Sequence, residues 1–488
     1  MLMLSLSFCA AAQNNERLTV FIAVEGLNDF AVNRIWENSN AHALKFPHKV
    51  FGGTESLATL MSGTLPRTHG IAHDLYFDGE KHRLLPILSR KGIASIGADD
   101  ILTPENITAP TLPDMLKINN KFSKIYAVAL NPKFAITLAG HNANAAIWLN
   151  AKTMRWAASQ YYREGLPAAA DKMNVAKEIE TRAQQIWRPS LDSVQLYHYL
   201  SDKERVEHGF AYYAAGKDKN GSQFFVNTPF ANQLVLDLAL ELQDEHKLGI
   251  YTDDMLLLQL TTNTPASMSD RVQSAEQEDM YLSLWKQITD FSDTLSARVN
   301  NNVNIIITGI PSRGESAVTL EKHHLACGEF NIERAAALVN TYLMAIYGHH
   351  SWIIGTNANA LIVNKSILSE QKINYNDFTL QVAQFLENFE GVNKAYTVQQ
   401  INAACNDNTE LTQIRNSISK LYDGDVFVTL TKGWRLSSNS QTLDTYHSGV
   451  ATAPTIIITN GQAIDYDATS AVELLPNICK ILKIDYIK

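Results

Sequence analysis

The stretch FGGTESLATLMSGTLPRTHGIAHDLYFD, residues 51–78, decides the fold. Apolar residues recur at helical spacing from Leu57 to Met61, and Gly63 ends the run. Thr54 therefore stands where a helix begins. Backbone N–H groups at a helix start are unpaired and carry the positive end of the helix dipole, so a hydroxyl there is placed to meet an anion. An ordinary N-cap threonine gives the same pattern, and this alternative stays open.

On either side of this stretch, apolar runs of strand length alternate with helical patterns. The runs lie at residues 18–24, 92–98, 124–130, 255–260, 303–308, 424–430 and 455–459. Unbroken apolar runs are typical of strands buried on both faces of a parallel sheet, and their alternation with helices predicts a doubly wound α/β fold. Glu25 follows the first run, at the carboxyl end of a strand, where open α/β sheets place their ligands.

Three segments together carry a resemblance to a known superfamily. The first contains Thr54, Thr59, Gly63, Pro66, His69, Gly70 and Ile71 at the spacing Thr-x-x-x-x-Thr…Gly-x-x-Pro-x-x-His-Gly-Ile. The others are NPKFAITLAGHNANAAIW, Asn131 to Trp148, and TPFANQLVLDLA, Thr228 to Ala239. They resemble the nucleophile helix of the alkaline phosphatase superfamily and the segments that flank its cap. The resemblance is closest to PafA-type alkaline phosphatases and to nucleotide pyrophosphatase/phosphodiesterases, and it extends almost end to end.

The resemblance implies an alkaline-phosphatase-like α/β fold, in which helices sandwich a mostly parallel central sheet. It also implies an inserted cap. Residues 18–150 and 229–488 would form the core, and residues 151–228 would form the cap. In that inserted stretch, aromatic and charged residues replace the strand–helix alternation.

The resemblance further implies two zinc ions that activate the nucleophile, at the position of Thr54. Carboxylates and imidazoles at strand ends would hold the metals. The expected ligand positions carry other residues here: Thr264, Met268, Ile310, Pro311 and Thr452. No histidine occurs between His246 and His323. Glu25, where the family has a metal-binding aspartate, is the one possible remnant, and we expect no bound metal.

The positions that would contact phosphate have also changed. Asp74 falls on or next to the position of an asparagine, and its negative charge would repel a phosphate. Asn131 and Lys133 stand where the family has a lysine and an arginine, so at most one cation remains. We therefore expect no catalytic residue, with Thr54 a vestigial nucleophile. Glu25, Thr54, Asp74 and Lys133 are the candidates for a ligand pocket.

These residues predict an exported member of the superfamily with degraded zinc sites, a catalytically inactive binding or partner protein (a pseudophosphatase) that needs no cofactor. The alternative is an active phosphoric ester hydrolase, either a phosphatase or a phosphodiesterase, whose zinc site has been remodelled. A metal-independent lyase or isomerase is a third hypothesis.

Charge and the N-terminus bear on partners and location. A formal net charge of −9 and the absence of any Lys/Arg run argue against nucleic acid and anionic membranes as partners. We expect an unknown protein partner or a small anionic ligand. Residues 1–12, MLMLSLSFCAAA, have the apolar character of a signal peptide, with cleavage after Ala12 and export to the periplasm or the medium. A buried N-terminal strand or a lipid anchor at Cys9 remains open, and no other run is long enough to span a bilayer.

Overall fold

The computed structural model describes most of the chain as alternating strands and helices. The described residues are 17–35, 41–89, 92–190, 210–215, 221–265, 275–311, 324, 326–404, 409–419, 424–437 and 451–487. Their strands are β1 (Leu18–Glu25), β2 (His42–Lys45), β3 (Leu75–Asp78), β4 (Arg83–Pro86), β5 (Ser95–Ile96), β6 (Ile125–Ala129), β7 (Ala145–Asn150), β8 (Arg155–Ser159), β9 (Ile186–Trp187), β10 (Tyr212–Tyr213), β11 (Asp254–Thr261), β12 (Val303–Ile310), β13 (Gly328–Asn331), β14 (Ile353–Asn357), β15 (Ala360–Val363), β16 (Val392–Thr397), β17 (Val426–Leu430), β18 (Trp434–Ser437), β19 (Thr452–Thr459) and β20 (Gln462–Ala463). Their helices are α1 (Asp29–Ile35), α2 (Thr54–Ser62), α3 (Pro66–His69), α4 (Leu112–Asn119), α5 (Pro132–Ala139), α6 (Ala168–Val175), α7 (Glu178–Ala183), α8 (Gly221–Phe225), α9 (Pro229–His246), α10 (Ala275–Arg298), α11 (Ile332–Tyr347), α12 (Lys365–Glu370), α13 (Tyr375–Leu386), α14 (Val398–Ala403), α15 (Thr409–Ser417) and α16 (Ala471–Leu482).

Ten strands form the main sheet, in the order β2-β19-β12-β1-β11-β6-β7-β8-β5 with β20 beside β19. β1 runs parallel to both of its neighbours, so Leu18 lies opposite Asp254 of β11 and Val303 of β12. β6 and β7 continue the parallel part, whereas β19, β2, β8 and β5 are antiparallel to the strands they pair with. The predicted fold class, a mixed α/β fold around a large and mostly parallel sheet, is therefore confirmed.

Alternate residues of β1 face two separate hydrophobic layers. Val20 and Ile22 pack with α9 and α10, whereas Phe21 and Ala23 pack with α2, α5 and α16. Because successive side chains of a strand point to opposite faces, a strand covered on both sides is apolar at every position. This explains the unbroken apolar text of residues 18–24. None of the helices in the described residues has the length and hydropathy that a membrane crossing requires.

A second sheet, with the order β14-β15-β17-β16, is separate from the main one. Its apolar residues pack with α11 and α13 in their own hydrophobic cluster, which includes Val339, Phe378 and Val428. The apolar run at residues 424–430 is β17 of this sheet, where it pairs with β15 and β16. An apolar run indicates a buried strand but does not indicate its neighbours, so the sequence does not predict which of the two sheets a strand joins.

The stretch 151–228 begins with a strand of the main sheet, and its later residues pack outside that sheet. Its first strand, β8, pairs with β7. Farther along, Trp187 and Phe210 pack against α10. The buried Asp279 of α10 accepts hydrogen bonds from Trp187 Nε1 at 2.7 Å and from the backbone N–H of Ser190 at 2.6 Å. This part of the stretch is therefore fixed to α10, and its role as a cap stays a prediction.

A buried carboxylate, Asp114, ties the start of α4 to the end of α5. Its Oδ2 accepts hydrogen bonds from the Thr111 hydroxyl at 2.7 Å and from His141 Nδ1 at 2.9 Å, and its Oδ1 accepts one from Asn142 Nδ2 at 2.7 Å. His141 Nε2 donates to the carbonyl of Ile107 at 2.9 Å. The hydrogen bond to Asp114 raises the pKa of His141, so the imidazolium form, which donates from both nitrogens, is favoured.

Replacing His141 by asparagine should therefore destabilise the fold in a pH-dependent way. A folded pKa above the ordinary 6.5 means that the stabilisation is complete below that pH and is lost as the pH rises through the raised value. We expect His141→Asn to lower the free energy of unfolding by about 2 kcal/mol at about pH 6, the size of a hydrogen bond to a charged group, and by less at about pH 9. Urea denaturation at the two pH values measures this.

His349→Asn is the matched control, because His349 is exposed after the end of α11. It should change the stability little at either pH. An equal loss for His141→Asn at both values would show that the charge on His141 does not contribute.

Candidate functional site

Helix α2 begins at Thr54, after a turn that the side chain of Glu55 holds in place. Glu55 Oε1 accepts hydrogen bonds from the backbone N–H groups of Phe51 at 2.6 Å and Gly52 at 2.9 Å. Gly53 adopts the left-handed conformation, with a φ of 93°, which glycine adopts without steric penalty. Thr54 is 1% exposed, and every residue of α2 is buried. The hydroxyl predicted from the sequence is thus fixed at a buried helix start.

The Thr54 hydroxyl contacts an internal ion pair. Thr54 Oγ1 donates a hydrogen bond of 2.5 Å to Asp74 Oδ1, and the other oxygen of Asp74 forms an ion pair with Lys133 Nζ. The structure therefore brings together three of the four residues proposed for the pocket. The N-cap alternative for Thr54 is wrong, because Gly53 occupies the cap position and the hydroxyl has Asp74 as its partner.

Two separate elements hold the ion pair in place. Lys133 lies in the first turn of α5, and Asn131 caps this helix by accepting a hydrogen bond from the Lys133 N–H at 3.0 Å. Asp74 directly precedes β3. The ring of Phe77 in β3 packs on Gly355 of the second sheet, where an added Cβ would lie 2.3 Å from the ring. The pair therefore depends on both sheets.

The fourth proposed residue, Glu25, belongs to a neighbouring cleft. It is the last residue of β1 and lies opposite Thr261 and Ile310 in the adjacent strands. Together with Asn131 it lines a cleft of about 360 Å³ at the carboxyl edge of the sheet. Thr54, Asp74 and Lys133 are not among the described residues that line this cleft. The sequence thus predicted one pocket where the structure has two adjacent sites.

Two apolar side chains pack against the turn before Thr54, and one of them, Ile310, stands where the resemblance implies a zinc ligand. A Cβ added to Gly53 would lie 3.1 Å from Phe134 Cζ and 3.2 Å from Ile310 Cγ2, so both side chains pack against the turn before Thr54. Within the residues that the structure describes, no three His, Cys, Asp or Glu side chains are grouped to bind a metal. Zinc in proteins takes three or four such ligands, so the described residues do not fit a zinc pair.

Several titratable groups in and next to α2 are buried, and burial disfavours their charged forms. Burial raises the pKa of Glu55, and its Oε2 has no hydrogen-bond partner among the described residues. Burial also lowers the pKa of His48 to about 3, lowers that of His73 to about 4, and holds that of His69 well below its ordinary value. Neither Glu55 nor His48 was among the site residues predicted from the sequence. The only available signal was that Glu55 follows Thr54 directly after two glycines.

Comparisons with known proteins also find similarity to PafA-type alkaline phosphatases. No protein-family model matches the chain. A protein named calcium-transporting ATPase from Myroides odoratus is 22% identical over 453 residues, which are 88% of this chain and 82% of that protein. Alkaline phosphatase PafA from Elizabethkingia meningoseptica is 25% identical over 337 residues, 65% of this chain and 61% of PafA. A crystal structure of wild-type PafA superposes with a TM-score of 0.81 at 19% identity, covering 96% of both chains.

This chain has the alkaline phosphatase fold. The resemblance to PafA-type alkaline phosphatases that its motifs predicted is confirmed, since relatives and solved neighbours come from that superfamily. Identity this low establishes the architecture and not the activity. The loss of the zinc ligands stays a prediction, because Met268 and the segments 312–323 and 441–450 lie outside the described residues.

The tight packing at the start of α2 predicts that Gly53 cannot be replaced without loss of stability. Gly53→Ala would put a Cβ in a left-handed backbone and against Phe134 and Ile310. We expect the free energy of unfolding to fall by about 2 kcal/mol, the steric penalty of this conformation with a contribution from the contact. Urea denaturation measures the change.

Gly52→Ala is the matched control, since nothing lies within 4 Å of an added Cβ there. It should alter the stability by no more than about 0.5 kcal/mol. If both substitutions had the same effect, the proposed close packing around Gly53 would be incorrect.

Proposed function

We propose that this protein is a catalytically inactive binding protein with the alkaline phosphatase fold. The observation that carries the proposal is the chain of contacts from Thr54 to Asp74 to Lys133. In these contacts, Asp74 binds the hydroxyl of Thr54 and the ammonium group of Lys133, which are the two groups that a phosphate ester would need. The ligand or partner binds elsewhere on the molecule.

The chemistry of nucleophilic attack supports this proposal. A threonine hydroxyl is a weak nucleophile and needs an activating metal or base. Here its proton is directed to Asp74, so an approaching phosphate meets a carboxylate. Two unit charges of the same sign repel by about 4 kcal/mol at 4 Å for an effective dielectric constant of about 20. Lys133 offsets part of this repulsion, but only while it is paired with Asp74.

The surroundings of Thr54 support the same proposal. Phe134 and Ile310 pack beside the turn that precedes it, and burial disfavours the charged forms of the nearby Glu55 and His73. In the zinc-dependent mechanism that the resemblance implies, the metals would stabilise the charge of the transition state. No described group next to Thr54 other than Lys133 offers a positive charge in contact with Asp74.

The competing candidate is an active phosphoric ester hydrolase with a remodelled zinc site. One observation favours it: Asp74 lies within hydrogen-bond reach of Thr54, as a general base must. Relatives of this chain are named alkaline phosphatases, which also supports the hydrolase candidate. The two candidates differ in metal content and in turnover.

We expect the purified protein, supplied with zinc during expression, to contain substoichiometric zinc by elemental analysis. It should release nitrophenol from p-nitrophenyl phosphate and from the bis-ester no faster than Thr54→Ala does. An enzyme with a typical kcat of about 10 s⁻¹ would be detected easily in this assay.

Asp74→Asn serves as the second variant, because it keeps the shape of the side chain while it removes the negative charge. It should leave turnover at the background level. Stoichiometric zinc together with turnover that disappears in Thr54→Ala would establish the hydrolase instead.

We propose in addition that the protein is exported, on the basis of the apolar residues 1–12, which lie outside the described residues. Sequencing of the mature protein after expression with its own N-terminus tests this. The expected first residue is Gln13, and a mature protein that retains Met1 would contradict export by a cleaved signal.

A further inference from the structure

The cleft that contains Glu25 lies where the carboxyl ends of β1, β11, β6 and β7 meet. Its volume of about 360 Å³ is in the range of sites for small molecules. Asn131 lines it from the sheet edge, and Gln223, Val226 and Asn227 line it from the opposite side, on and after α8. Residues of the core and of the predicted cap thus both line the cleft.

Some of the amides in this cleft are engaged within the protein. Gln259 Oε1 accepts hydrogen bonds from the N–H groups of Leu130 at 2.9 Å and Asn131 at 3.1 Å, and its Nε2 donates to the carbonyl of Leu260 at 3.0 Å. Asn150 likewise donates to a backbone carbonyl and accepts from a backbone N–H. These two residues shape the wall and leave little capacity for a ligand.

Two other amides keep capacity on opposite sides of the cleft. Asn131 uses its Oδ1 to cap α5, and no described residue accepts a hydrogen bond from its Nδ2. Asn227 uses its Nδ2 to contact the carbonyl of Gln223 at 3.1 Å, and no described residue donates to its Oδ1. The cleft therefore offers a donor from the sheet edge and an acceptor from the cap side.

The charges in the cleft indicate which ligands it excludes. Glu25 and Asp100 carry carboxylates, and Lys152 carries the one ammonium group among the described lining residues. Their formal sum of one negative charge disfavours a phosphate or another multiply charged anion. Apolar side chains, among them Leu130 and Val226, also line the cleft.

We propose that this cleft binds an uncharged polyhydroxyl molecule of the size of a small saccharide. Each hydroxyl group both donates and accepts a hydrogen bond, so one ligand satisfies the donor of Asn131 and the acceptor of Asn227. The C–H faces of such a ligand fit against Leu130 and Val226. The proposal deepens the binding function proposed above and rests on it for the claim that the ligand is not hydrolysed.

Saturation-transfer difference NMR on the full chain tests the proposal. The probes are sucrose for a free saccharide, adenosine for the sugar of a nucleoside, and inorganic phosphate, followed by its phosphorus line width. We expect transfer to the sugar protons of sucrose or adenosine and no broadening of phosphate. The two sugar probes distinguish the two sources of the same chemistry.

Two variants test the assignment to this cleft. Asn131→Asp keeps the oxygen that caps α5 and removes the free donor, and Asn227→Leu removes the free acceptor. Each should weaken binding of the sugar probe by about fivefold, since loss of a hydrogen bond to a ligand amounts to roughly 1 kcal/mol. Asn388→Leu is the matched control, because Asn388 makes the same bond to the carbonyl four residues earlier at an exposed site outside the cleft.

The outcomes separate this proposal from the proposed function. Thermal unfolding of each variant first shows that it folds. Absence of transfer to both sugar probes, equal transfer in all three variants, or broadening of phosphate that Asn131→Asp abolishes would overturn the ligand assignment. None of these results depends on the zinc and turnover assays, which test the lack of catalysis separately.

Discussion

The parallel pairing of β1 with β11 and β12 is the constraint on which both sites depend. Leu18 lies opposite Asp254 and Val303, and from there the three strands run in register to the same edge. At the amino end, the N–H of Asp254 donates to the carbonyl of Arg17 at 3.2 Å, and the N–H of Leu18 donates to the carbonyl of Asn302 at 3.0 Å. Burial on both faces holds the strands in this alignment. The residues at the carboxyl edge are therefore placed by the core and not by a loop.

At this edge, the Thr54 site is closed by a charge of the protein itself. Asp74 accepts a hydrogen bond from the hydroxyl of Thr54 and forms an ion pair with Lys133. A hydroxyl and an ammonium group are the kinds of donor that an external anion would require. The pair is about one third exposed, so its own contribution to stability is modest. Its importance is for recognition: a ligand that bound at Thr54 would first have to separate Asp74 from both partners. Burial lowers the pKa of the nearby His73 to about 4, so its ring does not supply a positive charge in place of Lys133.

Much of the architecture was predictable from the sequence, because burial on both faces leaves an unbroken apolar run such as residues 18–24. The neighbours of a strand are not encoded in this way, which is why the run at 424–430 did not reveal that β17 belongs to a second sheet. The meeting of Thr54, Asp74 and Lys133 was expected from the resemblance alone, since these residues lie far apart in the chain. Contacts such as that of Asp279 with Trp187 leave no local signal, because the two residues lie 92 positions apart in the chain.

The two adjacent sites share one helix turn, and this explains how they differ in the ligands they suit. Asn131 lines the cleft and its Oδ1 accepts the hydrogen bond from the backbone N–H of Lys133, while the side chain of Lys133 extends to Asp74. A neutral ligand in the cleft contacts this turn without competing for the ammonium group of Lys133. An anion would draw Lys133 away from Asp74 and leave that carboxylate with Thr54 as its only remaining partner among the contacts described here. The electrostatics of the turn therefore favour an uncharged occupant of the cleft as long as the Asp74–Lys133 pair stays closed.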